Sequence, residues 1–179
     1  MHLEEKTLTS EQKFDGKIVK LFVDRVELEN GDTATREVIK HPGGVCVVPL
    51  DEDGNVLFVR QFRYPHKQVL LEIPAGKLEY GEDHRACGLR ELKEETGCTC
   101  DEFDYLGSLI PTPAYDGEII HMYLARGLHY GTQKLDADEF LDVEKIPLEK
   151  AAEMIMNNEL QDAKTQVAIL KTRLLLSAH

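Results

Sequence analysis

Three glutamates, Glu91, Glu94 and Glu95, crowd the short segment RELKEETG. On a helix turning about 100° per residue, Glu94 falls about 60° to one side of Glu91 and Glu95 about 40° to the other. The three carboxylates therefore share one face, while Leu92, Leu89 and Ala86 fall away from it. This predicts a helix docked through the apolar residues, with its glutamates directed into a space above the core. Carboxylates spaced i,i+4 repel by about a few tenths of a kcal/mol. Glu94 and Glu95 also lie near the C-terminal end of the helix, where the dipole disfavours anions. Two local rules broken together mark a site. The chemistry that resolves the conflict is a hard divalent cation, because Mg2+ takes oxygen ligands. An acidic helix face alone is commonly just a solvated face, so the wider spacing has to decide.

Gly76, Glu82, Arg90, Glu91, Leu92, Glu94, Glu95, Gly97 and Cys98 match the pattern G-x5-E-x7-R-E-U-x-E-E-x-G-U, with U apolar and Cys98 a soft match. Seven of these positions demand one residue type, and a chance match over the chain is on the order of one in a million. No Ser-His-Asp elbow and no P-loop offers another route to catalysis. His121, in IIHMYLA, reads as a core or ladder residue. The 179 residues carry 33 acidic and 21 basic side chains, a net charge of −12. That excludes a non-specific nucleic-acid binder, whose main term is lysine and arginine on phosphate. It also means that something positive must face any anionic substrate. No apolar run reaches 18 residues, so no membrane span is expected. The start, MHLEEKTLTSEQKF, lacks an apolar signal core, and the cytoplasm is the expected location. Cys46, Cys87, Cys98 and Cys100 do not form C-x-x-C pairs, so no zinc site is expected.

Strand and helix signals arrange themselves around that segment. Residues 17–28 and 33–41 alternate apolar and polar side chains about Asn30-Gly31, a hairpin signal. GVCVVPL and VLFVRQFR read as partner strands across the turn DEDGN. Residues 65–82 read as loop with a brief strand at 69–73. Residues 83–96 read as the helix, ended by Gly97 in the left-handed conformation. Strands at about 103–110 and 118–126 flank the loop PTPAYDG. Pro147 opens a helix to about Asn157 as a first-turn residue, and a last helix spans about 162–176. The order predicts a mixed α+β domain at 42–179 with a small antiparallel β appendage at 1–41.

The patterned segment resembles the Nudix box, the signature of hydrolases acting on nucleoside diphosphates linked to another moiety. That resemblance implies an α/β/α sandwich with a mixed sheet. It implies Mg2+ or Mn2+ held by Glu91 and Glu95, with Glu94 serving a further ion and the backbone carbonyl of Ala75 adding a ligand. Glu82 and Arg90 then orient the metal-facing glutamates. Flanking stretches, VRQFRYP, LLEIPAGKLEYGE, Pro113 and LDADEFLDVEKIPLEKAAEMI, resemble the ADP-ribose pyrophosphatase subgroup. This implies Mg2+-dependent hydrolysis of ADP-ribose to AMP and ribose 5-phosphate. The alternatives are another nucleotide sugar, an oxidised nucleoside triphosphate or, more remotely, a non-catalytic sensor. The loop after Pro113 departs from the usual P-G-x-x-D-E, reading Pro113-Ala114-Tyr115-Asp116-Gly117-Glu118. Glu118 is the implied general base, beside Glu94 and Glu95 as catalytic groups, with Asp116 in reserve. Arg63 is the implied contact to the diphosphate or nucleoside and Arg36 the implied contact to the nucleoside end, since guanidinium suits both phosphate and stacking on a base. Phe14 is either an adenine platform or a core residue. The resemblance also implies a homodimer joined through the N-terminal appendage, with no nucleic-acid or membrane partner.

Overall fold

The run GVCVVP is buried at every position, which a strand can be only where both sheet faces are covered. Its alternate side chains enter two separate cores. Val45 and Val47 join Leu57, Cys87, Leu92, Cys98, Tyr123 and Ala125 on one side. Cys46 and Val48 join Phe58, Ile73, Met122, Leu124, Ala151 and Ile169 on the other. Each fully buried Val, Leu, Ile, Phe or Met side chain among them contributes about 2 kcal/mol. The computed structural model describes residues 3–135, 137 and 139–178. Asp136 and Asp138 of the stretch LDADEF, and residues 1, 2 and 179 of the expected domain bounds, lie outside the described residues.

The elements in chain order are β1 (Lys6–Asp15), β2 (Lys20–Glu27), β3 (Thr33–Lys40), β4 (Gly44–Pro49), β5 (Asn55–Arg63), β6 (Gln68–Glu72), β7 (Ala75–Lys77), α1 (His84–Thr96), β8 (Thr99–Leu109), β9 (Ile120–His129), β10 (Leu141–Pro147), α2 (Leu148–Met156) and α3 (Ala163–Ser177). The chain divides into two compact units, Met1–Gly43 with Ile110–Ile119, and Gly44–Leu109 with Ile120–His179.

In the larger unit a four-stranded sheet has the order β7-β4-β9-β8, and a three-stranded sheet the order β10-β5-β6. β4 runs parallel to β9, whereas its pairing with β7 is antiparallel, so the sheet is mixed. α1 supplies Cys87 and Leu92 to one core, and α2 and α3 supply Ala151 and Ile169 to the other. This is the expected α/β/α layering of a mixed α+β chain. In the smaller unit β1-β2-β3 forms an antiparallel meander. Residues Ile110–Ile119 belong with it because Ile39 N–H donates to Tyr115 O at 2.7 Å and Gly117 N–H to Ile39 O at 3.0 Å. No described helix is long and apolar enough to cross a membrane.

Four local expectations are corrected. β1 falls, but for Asp15, in the stretch MHLEEKTLTSEQKF, read for targeting but not as a strand; all its residues are exposed, so no buried face imposed a period-2 pattern. β7, three residues long, is created by pairing with β4. β10 is paired with β5 along its whole length, in a stretch whose charges hide the alternation. Pro147 is the last residue of β10 and the N-cap of α2, with φ −54° and ψ 137°, rather than a first-turn residue.

Candidate active site

α1 is fixed at both ends by local chemistry. The Asp83 carboxylate accepts from Ala86 N–H at 2.9 Å, and Gly97, at φ 74°, donates its N–H to Lys93 O. Only glycine takes that conformation without strain. The segment after β9 also binds this end of the helix: Lys134 N–H donates to Glu94 O at 3.0 Å, and the Gln133 amide donates to Glu95 O. Terminal carbonyls that an isolated helix would leave open are thus satisfied.

α1 buries Leu92 as expected, but the rest of its buried face differs from the expected one. Glu91 and Glu95 are 8% and 3% exposed, whereas Ala86 is exposed and Leu89 only half-buried. The glutamates point against the chain leaving β6, not into an open space. Ala75 N–H donates to the Glu95 carboxylate at 2.9 Å. Gly76 packs so closely that a Cβ there would lie 1.9 Å from the Glu91 carboxylate. The two carboxylates are therefore pinned under β7, and that strand needs its glycine.

Burial raises the Glu91 carboxyl above its usual range, against the pull of Arg90. Burial pushes Glu95 up to about 8, opposed by the Ala75 N–H and reinforced by the charge of Glu91. Among the described residues no cation pairs with Glu95. Arg90 stands between the others: it reaches Glu82 at 3.3 Å, Glu91 at 2.7 Å and Glu94 at 2.9 Å. These contacts raise the Arg90 guanidinium far above its ordinary value, although burial alone lowers it. Glu82 also accepts from Glu79 N–H at 2.9 Å.

The donor set fits a hard divalent cation. Its groups are carboxylate oxygens, two of them buried at an energetic cost that a cation would offset. Gly76 leaves room where a side chain would fill the cradle. Among the described residues, no three His, Cys, Asp or Glu side chains converge on one point; Glu91 and Glu94 instead meet on Arg90.

The structure brings Ala75, Glu82, Arg90, Glu91, Glu94 and Glu95 together. Arg63 belongs to the same unit, where its Nε and Nη2 donate to Glu72 at 2.6 and 2.7 Å. Glu95 is among the charges that act on it. Arg36 and Glu118 belong to the smaller unit. Arg36 donates to Glu5 from Nε at 2.9 Å and from Nη2 at 2.5 Å. Glu118 lies 3.4 Å from His41, and its N–H donates to Asp116 at 3.0 Å. Phe14, on β1, is exposed. Sequence reasoning missed Glu139, whose charge bears on both Glu91 and Glu95. It also missed Glu72, Lys164 and Gln133. The only sequence signal for Glu72 was a charge inside the apolar run VLLEIP.

A family model described as NUDIX domain matches residues 40–167, and one described as nucleoside diphosphate sugar hydrolase N-terminal domain matches residues 5–39. The chain is 45% identical over 168 residues to the methanol dehydrogenase activator of Bacillus methanolicus, covering 93% of this chain and 91% of that one. It is 44% identical over 169 residues to the ADP-ribose pyrophosphatase of Bacillus subtilis (strain 168), again covering 93% and 91%. A crystal structure of an ADP compounds hydrolase superposes with a TM-score of 0.86 over 98% of this chain and 95% of that one. At 20% identity that likeness speaks for the fold.

Proposed function

This chain belongs to the NUDIX family, and on that premise we propose that it hydrolyses the pyrophosphate bond of ADP-ribose to AMP and ribose 5-phosphate. The observation that carries the reading is the buried pair Glu91 and Glu95, pinned beneath Ala75 and Gly76. The near-full-length similarity to an ADP-ribose pyrophosphatase supports the substrate class.

Hydrolysis breaks one P–O bond of the diphosphate, adds water across it and gives the water proton to a base. Glu91, Glu95 and the Ala75 carbonyl would hold Mg2+, or Mn2+, with Glu94 serving a further ion. When bound, the metal neutralises phosphoryl charge and lowers the pKa of a bound water. Arg90 and Glu82 keep the carboxylates of Glu91 and Glu94 oriented. Arg63 and Arg36 contact the anionic and nucleoside parts of the substrate. Glu118 is the proposed general base, with Asp116 in reserve. Replacing Glu118 by glutamine and Asp116 by asparagine decides: the base is the one whose loss flattens the rise of kcat with pH.

The same reading makes residues 1–41 a dimerisation appendage and 42–179 the hydrolase domain of a cytoplasmic homodimer. The junction of the two matched models at residues 39 and 40 supports that division. Sedimentation of the purified protein tests the dimer, and cell fractionation tests the location. The activity is tested with a panel of nucleotides and Mg2+, reading phosphate released after added phosphatase. ADP-ribose should be turned over fastest. Equal or faster turnover of GDP-mannose or 8-oxo-dGTP would remove the ADP-ribose assignment.

A further inference from the structure

A second group of charged side chains lies at the start of α3, and the carboxylate helix does not account for it. Glu72, the last residue of β6, is 1% exposed. Its carboxylate accepts from Arg63 Nε at 2.6 Å and from Nη2 at 2.7 Å. Lys164 donates to the same carboxylate from α3 and lies 3.0 Å from Asp162. Asp162 caps α3, accepting from Thr165 N–H at 2.9 Å and from its hydroxyl at 2.6 Å. Thr165 Oγ1 in turn accepts from Ile73 N–H at 3.0 Å. The end of β6 is thus held to α3 through both backbone and side chain.

Two cations and two carboxylates balance within this group, and their hydrogen bonds offset part of the cost of burying them. Arg63 is its half-exposed member. Side-on pairing with Glu72 uses Nε–H and one Nη2 hydrogen, and a guanidinium has five N–H donors in a fixed plane. Those two contacts leave three N–H donors uncommitted to Glu72, and the charge of Glu95 acts on the Arg63 guanidinium. An arginine held this way gives up less rotamer freedom when it meets an anion.

We propose that Glu72, clamped by Lys164 and the capped start of α3, is a positioning residue that fixes the plane of Arg63 so that its remaining donors meet the substrate diphosphate. The proposal rests on the reading of this site as a nucleoside diphosphate hydrolase. Two variants test it. Glu72→Asp keeps the charge and shortens the reach by one methylene, and Lys164→Gln loosens the clamp from the other side; failure of one to fold leaves the other.

With ADP-ribose and Mg2+, each should raise KM about tenfold and hold kcat within about threefold, as loss of uniform substrate binding does. Loss of folded protein would instead lower the apparent kcat and leave KM unchanged, with the thermal midpoint recorded alongside. In an Arg63→Ala background, Glu72→Asp should add nothing to KM. A wild-type KM in the folded variants, or a further rise in that background, overturns the proposal. Failure of the wild-type protein to hydrolyse ADP-ribose would overturn the functional reading instead. The clamp is then judged by calorimetric binding of inorganic pyrophosphate, which Glu72→Asp should weaken about tenfold. Unchanged binding overturns it.

Discussion

At the residue scale, Glu95 and Glu72 are two buried carboxylates with opposite electrostatics. Glu95 is pushed up to about 8 by burial because, among the described residues, no cation pairs with it. An amide at this position needs no charge desolvation and can still accept from Ala75 N–H. Glu95→Gln should therefore lower hydrolysis on the order of 100-fold or more, while the thermal midpoint of the metal-free protein at pH 8 holds or rises. A wild-type rate in this variant would remove the metal-ligand assignment. Burial also pushes Glu72 up, but the Arg63 hydrogen bonds and the Lys164 charge win and hold it at about 2, against 4.5 for an ordinary glutamate. A depressed acid stabilises the fold fully above the unfolded value and loses that contribution as pH falls through the folded one. The stability gap between wild type and Glu72→Gln should thus be full at pH 7 and close from about pH 4.5 toward pH 2. Thermal midpoints across that range measure it, and a gap of constant size would contradict the pairing.

At the element scale, α1 was legible because its boundaries are set by single residues. Asp83 caps it, and Gly97 ends it in a conformation that costs other residues about 1–2 kcal/mol. A Cβ at Gly97 would also approach Gly131 O to 2.7 Å. Gly97→Ala should destabilise the protein by about 2 kcal/mol, read as a lower denaturant midpoint at an unchanged slope. Gly76→Ala acts differently, because its Cβ would displace the Glu91 carboxylate rather than strain a helix end. Its loss of hydrolysis should far exceed its loss of thermal stability, and proportionate losses would argue against the cradle. The strands β1 and β10 were not legible. Their existence depends on hydrogen bonds to β2 and β5, and no apolar period along the chain announces a backbone partner.

At the scale of the whole molecule, the net charge of −12 first reads as an obstacle to an anionic substrate. Arg90 offsets part of the acidic cluster from within, and Arg63 has one edge committed to Glu72. Under the proposed mechanism, most of the positive charge that meets the diphosphate comes with the substrate's metal. Chelation should therefore abolish hydrolysis and weaken ADP-ribose binding. Mg2+ at about 100 times its Kd should stabilise the fold by about 2.7 kcal/mol. A thermal midpoint indifferent to Mg2+ would count against metal binding at Glu91 and Glu95.

Residue order alone was enough for the carboxylate cluster, its helix, the glycine that ends it and the mixed α+β class. Each of these is a matter of local spacing, of periodicity or of residues that alone suit a backbone conformation. Packing settled how much of the acidic face of α1 is buried, that Arg90 stands among Glu82, Glu91 and Glu94, and that Glu72, already paired with Arg63, meets Lys164 92 residues further along the chain. The physical reason is that a carboxylate's environment is set by whatever packs against it. Which distant element does so is fixed by sheet order and helix docking, and no pattern along one segment encodes that.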